Sequence, residues 1–365
     1  MNGQPTRSHP SPFTLRKTAF KLGHYLIVIV LFRDDRLREW TSTVFRTLAG
    51  IMNGQLGRLT RSYRLKLRTK IRSTPLERPL RLPLIQPVAC VAMDLMLLVH
   101  QPAAPLASYV EKLWYCDGYK GVHRKEHVPP NGKFQVVISL AEGPLRAPGS
   151  PTEEWGPLAA SLVLGIRSHY SVIHTAVLQS AMGVVFWPGG ARVFFDSPAD
   201  AFYNDNVPLD LLWGSKASEL RDRLRAASTA VKKFRILEIA LLERVNKGLE
   251  LHTAVRYALR EFARAPHIRS VLDVTKEVGL SRRRFAQLFR EQVGLTPKLF
   301  CRLHRFQGVL RQIALGAPVD WADVALAGGY CDQAHLGHEF REFSGISPSA
   351  YLASQRRVAS HPPID

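Results

Sequence analysis

The segment Arg282–Gln287 combines three arginines with a glutamine, the residue types that contact base edges in DNA. Arginine can donate two hydrogen bonds to guanine O6 and N7, and glutamine pairs in the same way with adenine N6 and N7. Apolar residues at helical spacing predict that one face of this segment is buried, so a polar face remains for a major groove. An ordinary solvated helix face would have the same pattern. The outward set is Arg282, Arg283, Ala286, Gln287 and Arg290.

The residues before this segment predict the other half of a helix-turn-helix. Gly279 suits the tight connection between two short helices. Ser281 can cap the second helix, because its hydroxyl accepts a hydrogen bond from an early backbone N–H. The predicted apolar face of the first helix consists of Val271, Leu272, Val274 and Val278, and that of the second consists of Phe285, Leu288, Phe289 and Val293.

The same order of features recurs 51 residues later, which favours DNA reading over a solvated face. Gly328-Gly329 repeats the break and Asp332 repeats the cap. The preceding short apolar helix is predicted from Val319, Val324, Ala325 and Leu326, and the buried set of the following helix from Leu336, Phe340 and Phe343. The outward residues of this second helix are Gln333, Ala334, His335, Gly337 and His338.

A long helix is predicted between the two units, starting at Thr296-Pro297 with proline in its first turn. About 17 residues of helix span roughly 25 Å. Two helix pairs joined by such a rod can address successive major grooves, which lie about 34 Å apart. Bending of the DNA would close the remaining gap.

The stretches GLSRRRFAQLFREQVGLTPKLF and ALAGGYCDQAHLGHEFREFSGISPSAYL resemble the AraC/XylS family of bacterial transcription regulators over residues 268–352. The resemblance implies a double helix-turn-helix domain that binds double-stranded DNA. It implies base reading by Arg283, Ala286 and Gln287 in the first unit, and by Gln333, Ala334, His335 and His338 in the second.

Phosphate contacts would position these helices, since such contacts fix register without carrying sequence information. The expected phosphate contacts are Ser281, Arg282, Arg284, Arg290 and Lys298. The segment departs from the family at Thr275-Lys276, where a small apolar pair is usual, and at Gly308 and Gly337 inside helices. Gly337 costs about 1 kcal/mol relative to alanine.

The preceding region is predicted to be α+β and barrel-like. Short β-branched runs at 133–140, 161–166 and 175–180 predict strands, and MGVVFWPGGARVFF continues them into a turn at Gly189-Gly190 and a short helix. From Leu209 the spacing predicts helices, including 217–228, 232–248 and 251–265. VPPNGKFQVVISL and the stretch from Val184 to Leu224 resemble an uncharacterised sensor-like domain found ahead of such regulators, over about 100–225. That resemblance implies a sensor or dimerisation role and no particular ligand.

Charge and cysteine usage limit the class of protein. The 365 residues carry a net charge of +20, of which residues 1–92 hold +13 and 269–313 hold +7. A basic balance favours a polyanionic partner. The four cysteines are far apart without metal-ligand spacing, which predicts no disulfide framework and fits the cytoplasm. The apolar run Tyr25–Phe32 is too short for a bilayer span of about 20 residues, so no membrane partner is expected.

These observations predict a multidomain α+β chain in four parts. Residues 1–92 are either a poorly ordered basic extension, ending in a Pro/Arg-rich linker, or the product of a mis-called start upstream of Met93. Residues 93–265 form the α+β sensor or dimerisation domain, 266–353 the all-α double helix-turn-helix domain, and 354–365 a tail.

Three further sets of side chains invite other chemistry. His123 and His127 would share one face of a strand, but no third metal ligand follows, and a solvated loop is favoured. Cys116 lacks a basic neighbour that would lower its pKa, so an inert thiol is favoured. Trp187, Phe194, Phe195, Tyr203 and Trp213 could line an effector pocket, although core packing is the better interpretation; the effector pocket is therefore left unknown.

The sequence thus predicts a cytoplasmic, non-enzymatic regulator without cofactor or metal. Its expected partners are double-stranded DNA, a small-molecule effector, RNA polymerase if it activates, and a second copy in a homodimer. Two alternatives stay open. One is a non-specific architectural nucleic-acid binder driven by the basic extension, and the other is a DNA-repair enzyme fused to a similar module.

Overall fold

The computed structural model describes residues 86–88, 96–118, 125–143, 145–146, 158–174, 179–264, 269–314 and 319–357. Its amino-terminal part is built on a seven-stranded antiparallel sheet in the order β1-β2-β3-β10-β5-β8-β11, with two-stranded ribbons β4-β9 and β6-β7. The strands are β1 (Gln86–Val88), β2 (Met96–His100), β3 (Val110–Asp117), β4 (Lys125–Val128), β5 (Gln135–Ser139), β6 (Leu145–Arg146), β7 (Leu158–Ala159), β8 (Ser161–Leu164), β9 (Ser171–His174), β10 (Ser180–Phe186) and β11 (Asn206–Pro208).

The central strands are almost entirely buried, so that even the polar residues Glu111, Lys112 and Gln135 lie inside. All five residues of β5 are buried, as are seven of the eight in β3. These elements confirm the strands predicted in 133–140 and 161–166 and the turn into a short 3-10 helix at Gly190–Phe194. In the run predicted at 175–180 only 179–180 are described, and β10 begins at Ser180.

Strand β1 lies inside the segment predicted to be an extension or linker. Gln86–Val88 pairs with Leu97–Val99 of β2 and forms one edge of the sheet. A chain beginning at Met93 would lack this strand. The predictions for residues 1–85 and 89–95, including Cys90 and Tyr25–Phe32, lie outside the described residues.

Ten α-helices follow the sheet in the described part of the chain. They are α1 (Asp210–Trp213), α2 (Ser215–Ala226), α3 (Ala230–Leu242), α4 (Thr253–Arg264), α5 (Val271–Glu277), α6 (Arg282–Val293), α7 (Pro297–Ile313), α8 (Trp321–Ala327), α9 (Gln333–Ser344) and α10 (Pro348–Arg357). One apolar cluster runs from the sheet through α2 and α3 into the carboxy-terminal helices. No described helix is long and apolar enough to cross a membrane.

Two leucines depart from the predicted apolar faces. Leu272 of α5 is 39% exposed and Leu326 of α8 is 78% exposed, so their assignment to the core was wrong. Both helices have only seven residues, and so short a helix presents a narrow buried stripe. In α5 that stripe is Val274-Thr275 and in α8 it is Val324-Ala325.

Candidate nucleic-acid interface

Helix α6 has the start and the faces that the sequence predicts for a first recognition helix. The Ser281 hydroxyl accepts a hydrogen bond from the backbone N–H of Arg284 at 3.2 Å, and Gly294 closes the helix at φ 92°. Phe285 and Phe289 are buried. The exposed side chains are Arg282, Arg283, Arg284, Gln287 and Arg290, with Ala286 half-buried. The first turn therefore presents three guanidinium groups to solvent.

Two of these polar side chains already have partners on the protein. The Gln287 amide donates to Glu291 Oε1 at 2.8 Å, one turn along the same helix. Arg290 lies 2.9 Å from the Asp200 carboxylate of the α+β domain. The free cationic groups of α6 are thus concentrated at its amino-terminal end, and its carboxy-terminal end faces the sheet domain.

Helix α9 repeats this geometry with different side chains. Asp332 Oδ1 accepts from the backbone N–H of His335 at 2.7 Å, and Gly345 closes the helix at φ 77°. Gln333, Ala334 and His338 are exposed. The His335 ring is half-buried, packs edge-on against Tyr330 and lies 3.4 Å from the backbone nitrogen of Cys331. His335 is therefore less available for base contact than the other three predicted readers.

The inner face of α9 holds a buried carboxylate that the sequence analysis did not single out. Glu339 is 3% exposed and receives a hydrogen bond from Arg302 Nε at 2.7 Å, with Arg305 Nη2 at 3.3 Å. Arg302 also binds Glu342 at 2.5 Å. Hydrogen bonds to both carboxylates raise the pKa of Arg302 against the opposing effect of burial. This ion-pair cluster joins α9 to α7.

A sequence signal for this cluster exists. Arg302 and Arg305 are three residues apart on α7, and Glu339 and Glu342 are three apart on α9, so each pair occupies one face of its helix. Helix α7 itself begins as predicted, because the Thr296 hydroxyl accepts from Leu299 N and Pro297 occupies the first turn. Lys298 is exposed at that start.

The departure at Thr275 is accommodated inside the fold. Thr275 is 3% exposed, and its hydroxyl donates to the carbonyl oxygen of Val271 at 2.6 Å. A buried hydroxyl is costly only when it lacks a hydrogen bond. The substitution for a small apolar residue therefore leaves the geometry of the first unit intact.

Helix α4 packs with the carboxy-terminal helices. Phe262 lies against Phe289 of α6 and Phe300 of α7, with ring centroids 6.1 and 6.3 Å apart. The Tyr257 hydroxyl donates to Glu277 at 2.7 Å. The boundary predicted at 265/266 separates α4 from these partners.

The other candidate sites carry ordinary structural explanations. His123 lies outside the described residues, and the His127 ring stacks on Tyr170 with centroids 4.3 Å apart. No group of three or more His, Cys, Asp and Glu side chains within the described ranges could hold a metal ion. Burial raises the pKa of Cys116 to about 12, which keeps this thiol protonated and unreactive.

The aromatic set considered as an effector pocket belongs mainly to the core. Phe194, Phe195 and Trp213 are buried, and Phe195 stacks on Trp213 at 5.9 Å. Trp187 and Tyr203 are 37% and 38% exposed. Core packing is the better explanation for the three buried rings.

The fold and the repeated units define a two-part protein, and comparison with family models agrees. Residues 274–354 match the family model of a helix-turn-helix domain, and residues 98–208 match a domain of unknown function, DUF6597. The chain is therefore a DNA-binding transcription regulator with a sheet-rich domain ahead of its helix-turn-helix region. Transcription regulators with this helix-turn-helix domain are not enzymes, which confirms the expectation that the protein is non-enzymatic.

Comparison with solved structures finds proteins of low sequence identity. The DNA-binding domain of AdpA in complex with a target DNA is 23% identical, with 29% of this chain and 96% of that chain covered and a TM-score of 0.27. ToxT from Vibrio cholerae is 11% identical, with 64% and 95% covered and a TM-score of 0.37. ToxT from the same organism bound to an unsaturated fatty acid is 10% identical, with 64% and 96% covered and a TM-score of 0.36. No curated protein matches the chain.

Proposed function

We propose that this protein reads a specific DNA sequence by placing α6 and α9 in successive major grooves of one duplex. The observation that carries the proposal is the repetition of a complete unit, with caps at Ser281 and Asp332 and left-handed glycines at Gly294 and Gly345. A single basic helix face would be common on any protein surface. Two equivalent faces joined by one 17-residue helix can address successive major grooves of one duplex when the DNA bends to close the remaining gap.

Base reading falls to the exposed residues of the two helices. In α6 these are Arg283 and Gln287, with Ala286 beside them in the groove. Gln287 would exchange Glu291 for a base edge. In α9 they are Gln333, Ala334 and His338, with His335 in a smaller role because its ring packs on Tyr330.

Phosphate contacts come from Arg282, Arg284 and Lys298. The Ser281 hydroxyl, at the start of α6, would also contact the DNA backbone. Arg290 stands apart from this set because Asp200 holds it. A phosphate at this position would have to displace that carboxylate.

Regulation by a small-molecule effector through the sheet domain, a homodimeric state and a cytoplasmic location complete the proposal. RNA polymerase would be a partner if the protein activates transcription. The domain boundary that best suits the packing of Phe262 lies just before α4, so the DNA-binding domain would comprise 253–353.

Selection of bound DNA from a random pool, using the full chain, tests the function. The proposal expects one enriched motif and a salt-dependent affinity. The Arg283→Ala variant should lose preference for that motif. The Lys298→Ala variant should instead bind the motif and random DNA more weakly by the same factor, and the salt dependence of its affinity should have a slope smaller by about one. Equal loss on both DNAs for Arg283→Ala would overturn the assignment of Arg283 to base reading.

A further inference from the structure

Both recognition helices end against the α+β domain. Gly294 closes α6, Gly345 closes α9, and the two glycines are 51 residues apart, the same interval that separates the two caps. Each glycine has a positive φ. The equivalent points of the two repeated units are therefore both occupied by contacts from one neighbouring domain.

At the first helix the contact is close and partly charged. A Cβ built on Gly294 would lie 3.2 Å from the carbonyl oxygen of Ala199 and 3.3 to 3.4 Å from Phe134 and Ile166. One turn earlier, Arg290 pairs with Asp200 at 2.9 Å. Ala199 and Asp200 belong to the 3-10 turn Ala199–Phe202, so a single turn holds the end of α6.

At the second helix the contact is aromatic. A Cβ at Gly345 would collide with the ring of Tyr170, so the ring lies directly over the bare backbone of this glycine. Tyr170 is in turn held by its stack on His127 of ribbon β4-β9. The ribbon thus reaches the end of α9.

A third contact fixes the rod between the two units. Gln307 of α7 donates a hydrogen bond to the carbonyl oxygen of Pro130, and a Cβ at Gly132 would meet Leu303 Cδ2 at 3.1 Å. The loop before β5 therefore touches α7 between the two glycine contacts.

We propose that Tyr170 and Asp200 are positioning residues for DNA reading, and that through them the α+β domain sets the distance between the two half-sites that the protein accepts. The inference rests on the proposed function, since it presumes that α6 and α9 read two half-sites. Neither residue is among the proposed DNA contacts. A domain that contacts both helix ends and the rod restricts how far α6 and α9 can rotate or separate. The result is a narrow range of spacer lengths.

The test uses the full chain and duplexes carrying the two selected half-sites with spacers lengthened or shortened one base pair at a time. Wild type should bind its best spacer about tenfold more tightly than a spacer two base pairs longer or shorter, a difference of about 1.4 kcal/mol. The double variant Tyr170→Ala with Asp200→Asn should bind all spacers within about threefold while keeping the same half-site sequences. Tyr170→Phe keeps the ring and should keep the preference.

Asp222→Asn is the matched control. Asp222 is exposed on α2, and its substitution removes the same charge from the same domain. Thermal unfolding of each variant identifies any that fail to fold. An unchanged spacer preference in a folded double variant overturns the inference while leaving the proposed function standing. Loss of binding to single half-sites also overturns it, because the two residues would then do more than set the distance. Absence of any sequence preference in wild type would instead overturn the proposed function.

Discussion

The first helix-turn-helix unit presents three arginines in the first turn of its recognition helix, and the second presents Gln333, Ala334 and His335 at the equivalent turn. Both helices have twelve residues, a side-chain cap and a left-handed glycine at the end. The second unit alone contains a buried carboxylate, Glu339, bound by arginines of α7. The same backbone arrangement therefore carries charge in two different places: the first unit has exposed arginines on its second helix, and the second unit has its charged pair in the protein interior.

The largest effect should come from breaking the interior ion pairs of the second unit. Glu339→Ala should lower the free energy of unfolding by about 3 kcal/mol, because removal of one partner leaves buried charge uncompensated. Glu342→Ala is the matched control and should cost under about 1 kcal/mol, since its side chain is 45% exposed. Urea unfolding of both variants measures the difference. Equal costs would show that burial of Glu339 contributes nothing beyond an exposed ion pair.

The next largest effect should be a loss of DNA affinity when a base-reading residue of the first unit is removed. Arg283→Ala should weaken binding to the selected site by about 1 to 3 kcal/mol, the range for a lost bidentate base contact. His338→Ala in the second unit should cost less, because one imidazole donor cannot form the guanidinium fork. Binding titrations at fixed salt compare the two. A larger loss for His338→Ala would reverse the expected order of the two effects.

The caps should be equivalent in the two units, since both perform the same backbone role. Ser281→Ala and Asp332→Ala should each destabilise the fold by about 1 kcal/mol, as measured by chemical unfolding. A cost near zero for either would mean that water replaces that cap.

Alanine substitutions of the glycine inside α9 and of the glycine at its end should change the stability of the protein in opposite directions. Gly337→Ala should stabilise the protein by up to about 1 kcal/mol, because a Cβ at Gly337 meets nothing within 4 Å. Gly345→Ala should destabilise it, because φ is 77° and the Tyr170 ring occupies the space. Melting temperatures of the two variants give the sign of each change. A gain in stability for Gly345→Ala would place Tyr170 elsewhere.

The smallest effect concerns pH. Burial lowers the pKa of His127 below its ordinary value near 6.5, so the unfolded chain binds a proton more readily at this site than the folded chain. The contribution of His127 to stability should therefore fall as the pH drops below about 6.5. His127→Phe keeps a ring for the stack on Tyr170 and should reduce the dependence of the free energy of unfolding on pH. Chemical unfolding of wild type and variant between pH 7 and 5 measures this dependence. An identical pH dependence in both proteins would contradict the lowered pKa of His127.

Much of the DNA-binding region could be predicted from sequence because its signals are local. Ser281 and Pro297 each determine the start of a helix, and both have the predicted roles. The repeat of that order 51 residues on predicted the second unit in the same way. Local capping chemistry thus carried the architecture.

The interior ion pairs and the contacts between domains could not be predicted with the same rules. Glu339 looked like any polar residue of a helix, and its burial depends on where α7 crosses α9. Asp200 lies 90 residues from Arg290, with which it pairs, and Tyr170 lies 175 residues from Gly345, which it covers. These are tertiary contacts between residues far apart in the chain, and composition and periodicity do not predict them. The same is true of Leu326, which helical spacing assigned to the core and packing leaves exposed.

The most direct test of the central claim is a base-by-base substitution scan of the site that the full chain selects from random DNA. We expect two half-sites about one helical turn apart, with substitutions in the half-site of the first unit costing more affinity than those in the other. Loss of that first half-site preference in Arg283→Ala would assign the half-site to α6. A single uninterrupted site, or no position at which substitution changes affinity, would contradict the claim that two recognition helices read the DNA.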